Sequence, residues 1–274
     1  MYPDELFLGL NLYSVFLAIG VVSALFLADY MATKSGFSIA LQRILIVAIV
    51  AAVVLGYGSA VFFQGLYNIK EEGKFVLDSG TGATFLGGLI GGAACFLLIW
   101  FLAGKKFCKD GEEKKRFPVI ANIAACVIPL AHGFGRLGCL MAGCCHGAET
   151  EAWYGLNMVD YYTAGGDKVW HKVVPVQLFE SLFLFAFAAV LFALFFRSKG
   201  VRERNFPLLS VYLVGYGLWR FLIEYARADD RGQTIVSFLS PSQLVSLLMI
   251  VGGAVWLVWW LFCKKKREKV SSKN

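Results

Sequence analysis

Long apolar stretches separated by short polar segments are the main pattern of this 274-residue chain. About 20 apolar residues in a helix cross a hydrocarbon layer of about 30 Å. Because lipid offers the backbone no hydrogen-bond partner, such stretches must be helical in a membrane. We predict an all-α integral membrane protein, a seven-helix bundle that forms one domain over residues 1–274. The predicted spans are Leu6–Ala28, Leu41–Phe63, Ala83–Ala103, Pro118–Leu137, Pro175–Phe196, Phe206–Ala226 and Ser242–Phe262.

The composition excludes an ordinary soluble domain. Hydrophobic residues make up 58% of the chain and charged residues 16%, and the mean hydropathy is +0.65. Soluble domains have about 45–50% apolar and about 25% charged residues. Much of the surface is therefore expected to face lipid.

The charge distribution predicts the orientation and argues against a nucleic-acid partner. The net charge is +7, but 18 of the 26 basic residues fall in alternate loops and in the C-terminal tail. Lys and Arg concentrate on the cytoplasmic side of membrane proteins. We therefore expect a cytoplasmic C-terminus and an N-terminus outside. The first span lacks a basic leader and is expected to remain as an anchor.

The sixth predicted span carries a polar stripe. Tyr216, Arg220, Glu224 and Arg227 are spaced four, four and three apart, so they share one helical face. Ionisable groups at membrane depth are costly and mark functional candidates. The stripe is either a structural Arg220–Glu224 pair or an anion site beside a carboxylate, because the planar guanidinium suits phosphate.

The fourth predicted span ends in a second candidate region. His132 and Arg136 lie one turn apart, and Gly138, Gly143 and Gly147 follow. Glycines let a backbone approach a ligand closely. The outer loop that follows, about residues 138–174, is rich in aromatic residues, which suits an element at the membrane interface.

Two further spans contribute candidates. Gly87 and Gly88 lie in the third span, where small residues let helices pack closely and also leave room for a ligand. Gln177 and Glu180 open the fifth span three residues apart and are expected to face the same cavity.

Three of the seven cysteines cluster in the sequence at Cys139, Cys144 and Cys145, next to His146. A disulfide between two of them is one interpretation. Metal binding is another, although the spacing matches no standard zinc pattern. The sequence predicts no metal and no cofactor.

Six motifs in register resemble the prolipoprotein diacylglyceryl transferase family, from about Tyr13 to about Met249. They are Leu55–Gly58 continuing to Tyr67, Phe85–Gly91, Gly135–Gly138 continuing to Gly143 and Gly147, Pro175–Glu180, Tyr216–Arg227 with Asp229, and Leu239–Gln243.

The resemblance implies a seven-helix enzyme of the bacterial inner or plasma membrane. It transfers the diacylglyceryl group of phosphatidylglycerol to the lipobox cysteine thiol of preprolipoproteins, recognised through their signal peptides, and releases glycerol-1-phosphate. Arg136 and Arg220 are expected to hold the lipid phosphate. Tyr216 and Glu224 are expected to orient these arginines, and Tyr13 matches a functional tyrosine.

The chain departs from the family pattern at several polar positions. Leu86 stands where the family has a histidine proposed as the base. Cys139 and Ala142 stand where the family usually has Asn, and Cys144 where it has Glu. His132 is a candidate replacement base, and so is His146, because an imidazole titrates near neutral pH.

These departures leave two alternatives to the transferase. One is a related membrane lipid transferase that uses a different acceptor. The other is a lipid-binding or transport protein without catalysis, although the chain shows no repeat of the kind common in transporters.

Overall fold

The computed structural model describes residues 5–7, 10–72, 75, 82–109, 111–162, 168–198, 201, 206–227 and 239–271. The fold is helical, as predicted. The helices are α1 (Leu12–Lys34), α2 (Ile39–Glu72), α3 (Phe85–Phe107), α4 (Glu112–Ala142), α5 (Val176–Arg197), α6 (Leu208–Ile223) and α7 (Pro241–Ser271). The short strands are β1 (Glu5–Phe7), β2 (Leu10–Asn11), β3 (Leu156–Tyr162) and β4 (Lys168–Val173).

Six of these helices are long and apolar enough to cross a membrane, within the described residues. This confirms a multi-pass helical membrane protein. The exception is α6, whose 16 residues rise about 24 Å. A 3₁₀ turn, Glu224–Ala226, follows it directly. The seventh crossing and the orientation remain predictions.

The first helix begins later than predicted. The prediction started a span at Leu6, whereas residues 5–7 and 10–11 pair as β1 and β2. The side chain of Asn11 accepts hydrogen bonds from the backbone N–H and the hydroxyl of Ser14, each at 2.9 Å. An asparagine in this position caps a helix, which explains the start at Leu12.

The long loop between α4 and α5 contains a β-hairpin. Strands β3 and β4 pair antiparallel, with Leu156 opposite Val173. Met158 and Val173 are buried against Leu140 near the end of α4, and Leu178 of α5 packs on the same cluster. The hairpin is therefore attached to the ends of two helices.

The chain divides into two compact units, residues 1–26 with 118–274, and residues 27–117. In the second unit, glycines bring α2 and α3 together. A Cβ on Gly56 would lie 3.2 Å from the carbonyl oxygen of Gly88, and Ser59 donates a hydrogen bond to the Gly87 carbonyl at 2.9 Å. Small residues at a helix interface allow this close packing.

In the first unit, α4 to α7 pack in sequence. Ser181 of α5 donates to the Gly133 carbonyl of α4 at 3.0 Å. Phe183 of α5 stacks on Trp219 of α6, with ring centroids 4.2 Å apart. A Cβ on Gly217 of α6 would lie 3.0 Å from the carbonyl oxygen of Ser246 in α7. In lipid, close packing and interhelical hydrogen bonds replace the hydrophobic effect between helices, and each such hydrogen bond is worth about 0.6 kcal/mol.

Candidate functional site

Glu180 connects three helices in the first unit. Its side chain is fully buried, with 0% exposure, near the start of α5. One carboxylate oxygen lies 3.0 Å from Nε of Arg136 in α4, whose side chain is 14% exposed. The other accepts a hydrogen bond from the Tyr216 hydroxyl of α6 at 3.0 Å. A buried carboxylate requires such partners, because desolvation penalises an unpaired charge.

His132 belongs to the same group. Its Nε2 atom lies 3.9 Å from the Glu180 carboxylate. Its ring meets the ring of Tyr216 edge to face, with centroids 5.3 Å apart. The predicted one-turn relation between His132 and Arg136 therefore brings both side chains to one carboxylate.

A second buried ion pair lies where α6 ends and α7 begins. Arg220 contacts the Glu224 carboxylate at 2.7 Å and donates to the Ser242 hydroxyl at 2.9 Å. Ser240 donates to the other Glu224 oxygen at 2.6 Å. Arg220 and Glu224 of the predicted polar stripe thus form an ion pair, and Ser242 links it to α7.

The two pairs form one electrostatic group. Both Arg136 and Arg220 interact with the Glu180 carboxylate, and Arg227 interacts with Arg136. The arginines Arg136, Arg220 and Arg227 and the carboxylates Glu180 and Glu224 are therefore the described charged residues of this group. The Tyr216 hydroxyl donates to Glu180, and Glu180 contacts Arg136. Tyr216 is therefore linked to Arg136 through the Glu180 carboxylate.

Tyr13 approaches this group from α1. A Cβ on Gly138 would lie 3.1 Å from both the Tyr13 carbonyl oxygen and its ring carbon Cδ2. Tyr13 is 37% exposed. Gly138 therefore permits the contact between α1 and α4 that places Tyr13 beside the end of α4.

Gly143 and Gly147 shape the turn after α4. Gly143 has a φ of +77°, and its N–H donates to the Leu140 carbonyl at 3.2 Å, as expected of a glycine that ends a helix. Gly147 pairs with Arg227 as an isolated β-bridge, and a Cβ there would collide with the Ala226 carbonyl. Both glycines have structural roles, and their contact with a substrate stays a prediction.

Gln177 supports the same turn. It is fully buried and its amide donates to the Cys144 carbonyl. Gln177 thus contacts the turn after α4, whereas Glu180 contacts Arg136, and a cavity shared by the two side chains stays a prediction.

The three clustered cysteines meet in this turn. Their sulfur atoms all lie within 4.8 Å of one another, and all three are free thiols. Hydrogen bonds from Cys139 and Cys144 and the guanidinium of Arg227 lower the pKa of the Cys145 thiol. The Cys139 and Cys145 hydrogen bonds, together with burial, raise the pKa of Cys144.

Two predicted substrate-binding residues, Gly87 and Gly88, lie in the second unit on α3. A Cβ on Gly87 would lie 2.7 Å from both the Phe63 and Thr84 side chains. Gly88 faces Ala60. Their described contacts are those of helix packing. Asp229, which belongs to the α6 motif, lies outside the described residues.

A cavity of about 1000 Å³ lies at the opposite end of the same helices. Its lining residues come from the start of α4, the end of α5, the start of α6 and the end of α7, and they include Asn122, Phe206 and Trp260. The buried ion pairs lie at the other ends of these four helices. The polar group and this apolar cavity are therefore separate features.

For three residues of the site, the sequence did not predict the side chain that each one contacts. Glu180 was noted only as a cavity-facing residue, although it is the partner of Arg136. Ser240 and Ser242 were seen only within a motif, and they bind Glu224 and Arg220. A carboxylate in a predicted apolar span is the signal that could have identified Glu180.

Comparison with known proteins places this chain in a family. A family model described as "Prolipoprotein diacylglyceryl transferase" matches residues 5–259. A phosphatidylglycerol–prolipoprotein diacylglyceryl transferase of Clostridium tetani is 32% identical over 91% of this chain and 93% of its own length. A protein named phosphatidylglycerol–prolipoprotein diacylglyceryl transferase 2, from Clostridium perfringens, is 31% identical over 89% of this chain and 90% of its own length. A protein of that name from Aliivibrio fischeri (strain MJ11) is 29% identical over 92% and 84%.

Proposed function

This chain belongs to the prolipoprotein diacylglyceryl transferase family, and from that premise we propose the reaction it catalyses. It transfers the diacylglyceryl group of phosphatidylglycerol to the lipobox cysteine thiol of a preprolipoprotein. The thiol sulfur forms a bond to the glyceryl carbon, the bond between that carbon and the phosphate oxygen breaks, and glycerol-1-phosphate leaves.

The arrangement of Arg136 and Arg220 around Glu180 carries this proposal. Each guanidinium is held by a buried carboxylate, at 3.0 Å for Arg136 and 2.7 Å for Arg220. The charges of both guanidinium groups act on the Glu180 carboxylate, so the two arginines bring positive charge to one place, which suits a phosphodiester monoanion. Arginine presents several N–H donors in one plane and stays charged, so it can bind phosphate oxygens in pairs.

The same arginines are expected to stabilise the transition state of the reaction. When the glyceryl carbon–oxygen bond breaks, the phosphate gains negative charge. Prepositioned positive groups stabilise that developing charge more than they stabilise the substrate, and this difference lowers the barrier. Ion pairing to Glu180 and Glu224 holds the guanidinium groups in place before the lipid binds.

The acceptor thiol must lose its proton. His132 is the base we assign, because it lies within the arginine group and its Nε2 atom is 3.9 Å from Glu180. The carboxylate stabilises the imidazolium that forms. Tyr13, beside the end of α4, and Tyr216, on Glu180, are positioning groups. Gly138, Gly143 and Gly147 shape the backbone next to the lipid, and Gln177 holds the turn. Gly87 and Gly88 are proposed to let a lipid chain approach α3.

We place the site at the outer face of the bacterial plasma membrane, in a seven-span protein whose C-terminus is cytoplasmic. The basic residues concentrate in the segments that join the opposite helix ends, which supports this orientation. Phosphatidylglycerol and the signal peptides of preprolipoproteins then reach the site from the bilayer.

A reconstituted transfer assay tests the proposal. The full chain is placed in vesicles that contain phosphatidylglycerol, and a lipobox peptide is added. Mass spectrometry detects the diacylglyceryl thioether, and released glycerol phosphate is measured separately. Arg136→Ala is expected to lower kcat/KM about 10²- to 10³-fold. Arg197→Ala, an exposed arginine at the end of α5, is the matched control and should retain transfer.

A second function follows from Leu86, which replaces the histidine that the resemblance implies and is 51% exposed. A relative that uses a different acceptor would release glycerol phosphate in the same vesicles without forming the thioether. Bound lipid with neither product would instead support a binding or transport role. Thioether formation that is lost in Arg136→Ala establishes the transferase.

A further inference from the structure

The three cysteines after α4 form a concentrated group of metal-binding atoms. Cys139 lies in the last turns of α4, and Cys144 and Cys145 follow the helix end at Gly143. Their sulfur atoms lie within 4.8 Å of one another. Three thiolates around one zinc ion, at about 2.3 Å each, lie about 3.8 Å apart. Side-chain rotations that move the sulfurs by about 1 Å or less therefore suffice for a shared ion.

The backbone holds this group in an uncommon conformation. Cys145 has a φ of +64°, the only positive φ of a non-glycine residue in the described chain. Such conformations cost energy and persist where the surroundings impose them. The Cys144 N–H donates to the Cys139 carbonyl at 3.2 Å, and the buried Gln177 amide donates to the Cys144 carbonyl. These bonds direct Cys144 and Cys145 back toward Cys139.

The cluster is open on one side and has a positive group on another. Cys144 is exposed, whereas Cys139 and Cys145 are half-buried. Among the described residues no fourth His, Cys or carboxylate joins the group. The Arg227 side chain forms a hydrogen bond with Cys145, and Arg136 interacts with Cys139. These guanidinium groups can balance the negative charge of a zinc ion with several thiolates.

We propose that Cys139, Cys144 and Cys145 bind one zinc ion, whose fourth position takes the acceptor cysteine thiol. Structural zinc sites are closed by four protein ligands, whereas sites with three ligands keep a position for a substrate. The inference rests on the proposed function, because it identifies how the acceptor is held. Cys139 follows Arg136 by three residues on α4, so the two side chains share one helical face, and the cysteine group adjoins the proposed phosphate site.

The chemistry balances without an added oxidant or reductant. Binding to the zinc ion converts the acceptor thiol to a thiolate, as metal coordination does for sulfur ligands. The released proton passes to His132 and leaves with glycerol-1-phosphate. The thiolate sulfur then forms its bond to the glyceryl carbon as the carbon–oxygen bond to phosphate breaks. The zinc ion keeps its oxidation state throughout.

Cobalt spectroscopy on the full-length protein tests the site. The protein is reduced, stripped with a chelator and titrated with Co²⁺, and bound metal is counted by mass spectrometry. About one tightly bound ion per chain is expected, with a thiolate-to-cobalt charge-transfer band and the visible bands of tetrahedral cobalt. Weak, non-stoichiometric binding without a charge-transfer band overturns the proposal. So does a bridge between two of these cysteines that excludes metal even after reduction.

Matched serine variants locate the ion. Cys144→Ser is expected to bind Co²⁺ more weakly and to give a charge-transfer band of lower intensity, because one of three thiolates is removed. Cys263→Ser, which lies on α7 beside the opposite cavity, should keep it. Cobalt affinity and band intensity that are unchanged in Cys144→Ser overturn the assignment. The wild-type spectrum does not depend on the folding of any variant.

The open position is tested with two lipobox peptides. A peptide with cysteine is expected to shift the visible cobalt bands, whereas the same peptide with serine at that position should leave them unchanged. An identical response to both peptides overturns the proposed acceptor role.

The activity measurements separate this inference from the proposed function. Loss of transfer after chelation, with recovery on adding Zn²⁺, supports both. Full transfer by the stripped protein overturns the zinc role and leaves the transferase intact. A cysteine-specific cobalt response without thioether formation establishes the metal site and overturns the proposed reaction.

Discussion

The buried carboxylate of Glu180 lies 3.0 Å from Nε of Arg136, joining α5 to α4. Removal of one partner from a buried ion pair leaves an uncompensated charge, which costs about 3–5 kcal/mol. Tyr216 and His132 converge on the same carboxylate. Glu180 is therefore a positioning residue for several groups that we assign to the reaction.

Glu180→Ala is expected to lower the free energy of unfolding by about 3–5 kcal/mol, because it strands the Arg136 charge. Glu180→Gln keeps a hydrogen-bonding oxygen for Tyr216 and should cost less. Thermal unfolding in detergent and the KM for phosphatidylglycerol measure the two effects. Glu149→Gln, at an exposed position in the segment before the hairpin, is the control and should change neither. Equal stability of Glu180→Ala and the wild type would contradict the pairing.

His132→Gln is expected to lower kcat for thioether formation about 10²-fold or more, since a positioned base contributes about 10²- to 10⁴-fold. Its effect on KM for phosphatidylglycerol should be smaller, because the arginines remain. His171→Gln is the control, because His171 lies on strand β4 and pairs with Glu149. Unchanged turnover in His132→Gln would remove the base from the mechanism.

Gly138→Ala is expected to destabilise the protein by about 1–3 kcal/mol, because the added carbon would overpack the contact with Tyr13. The neighbouring atoms include the Tyr13 carbonyl oxygen at 3.1 Å, which cannot rotate away. Gly135→Ala lies on the same helix with nothing within 4 Å of an added Cβ, so it is the matched control. Thermal unfolding and transfer rate are measured for both. A destabilised Gly135→Ala with an unaffected Gly138→Ala would contradict the described packing.

Membrane-impermeant maleimide labelling tests the orientation. Two chains are compared, each with a single cysteine: Trp153→Cys before the hairpin, where Trp153 is 92% exposed, and native Cys108 after α3. In intact cells the first is expected to react and the second only after permeabilisation, because α4 lies between the two positions and crosses the membrane once. The reverse pattern would invert the topology, and equal labelling would contradict an odd number of crossings between these positions.

The amino-acid sequence by itself determined the class of this protein and the approximate position of its helices. Apolar length predicts a membrane helix, because the bilayer imposes both the length and the helical backbone. Helical periodicity also placed Arg220 beside Glu224, since residues four apart share a face. The family resemblance, confirmed by the comparisons, selected Arg136 and Arg220.

Only the tertiary structure decided which charged residues form ion pairs between different helices. Periodicity assigns Arg136 and Glu180 to faces of separate helices, but their pairing depends on how α4 and α5 pack against each other. The same holds for Ser242, which reaches Arg220 from α7. The meeting of Cys139 with Cys145 depends on a backbone turn through positive φ that no regular repeat predicts. A sequence pattern predicts which residues share a face of one helix or strand. Which face meets which neighbouring helix is determined by three-dimensional packing.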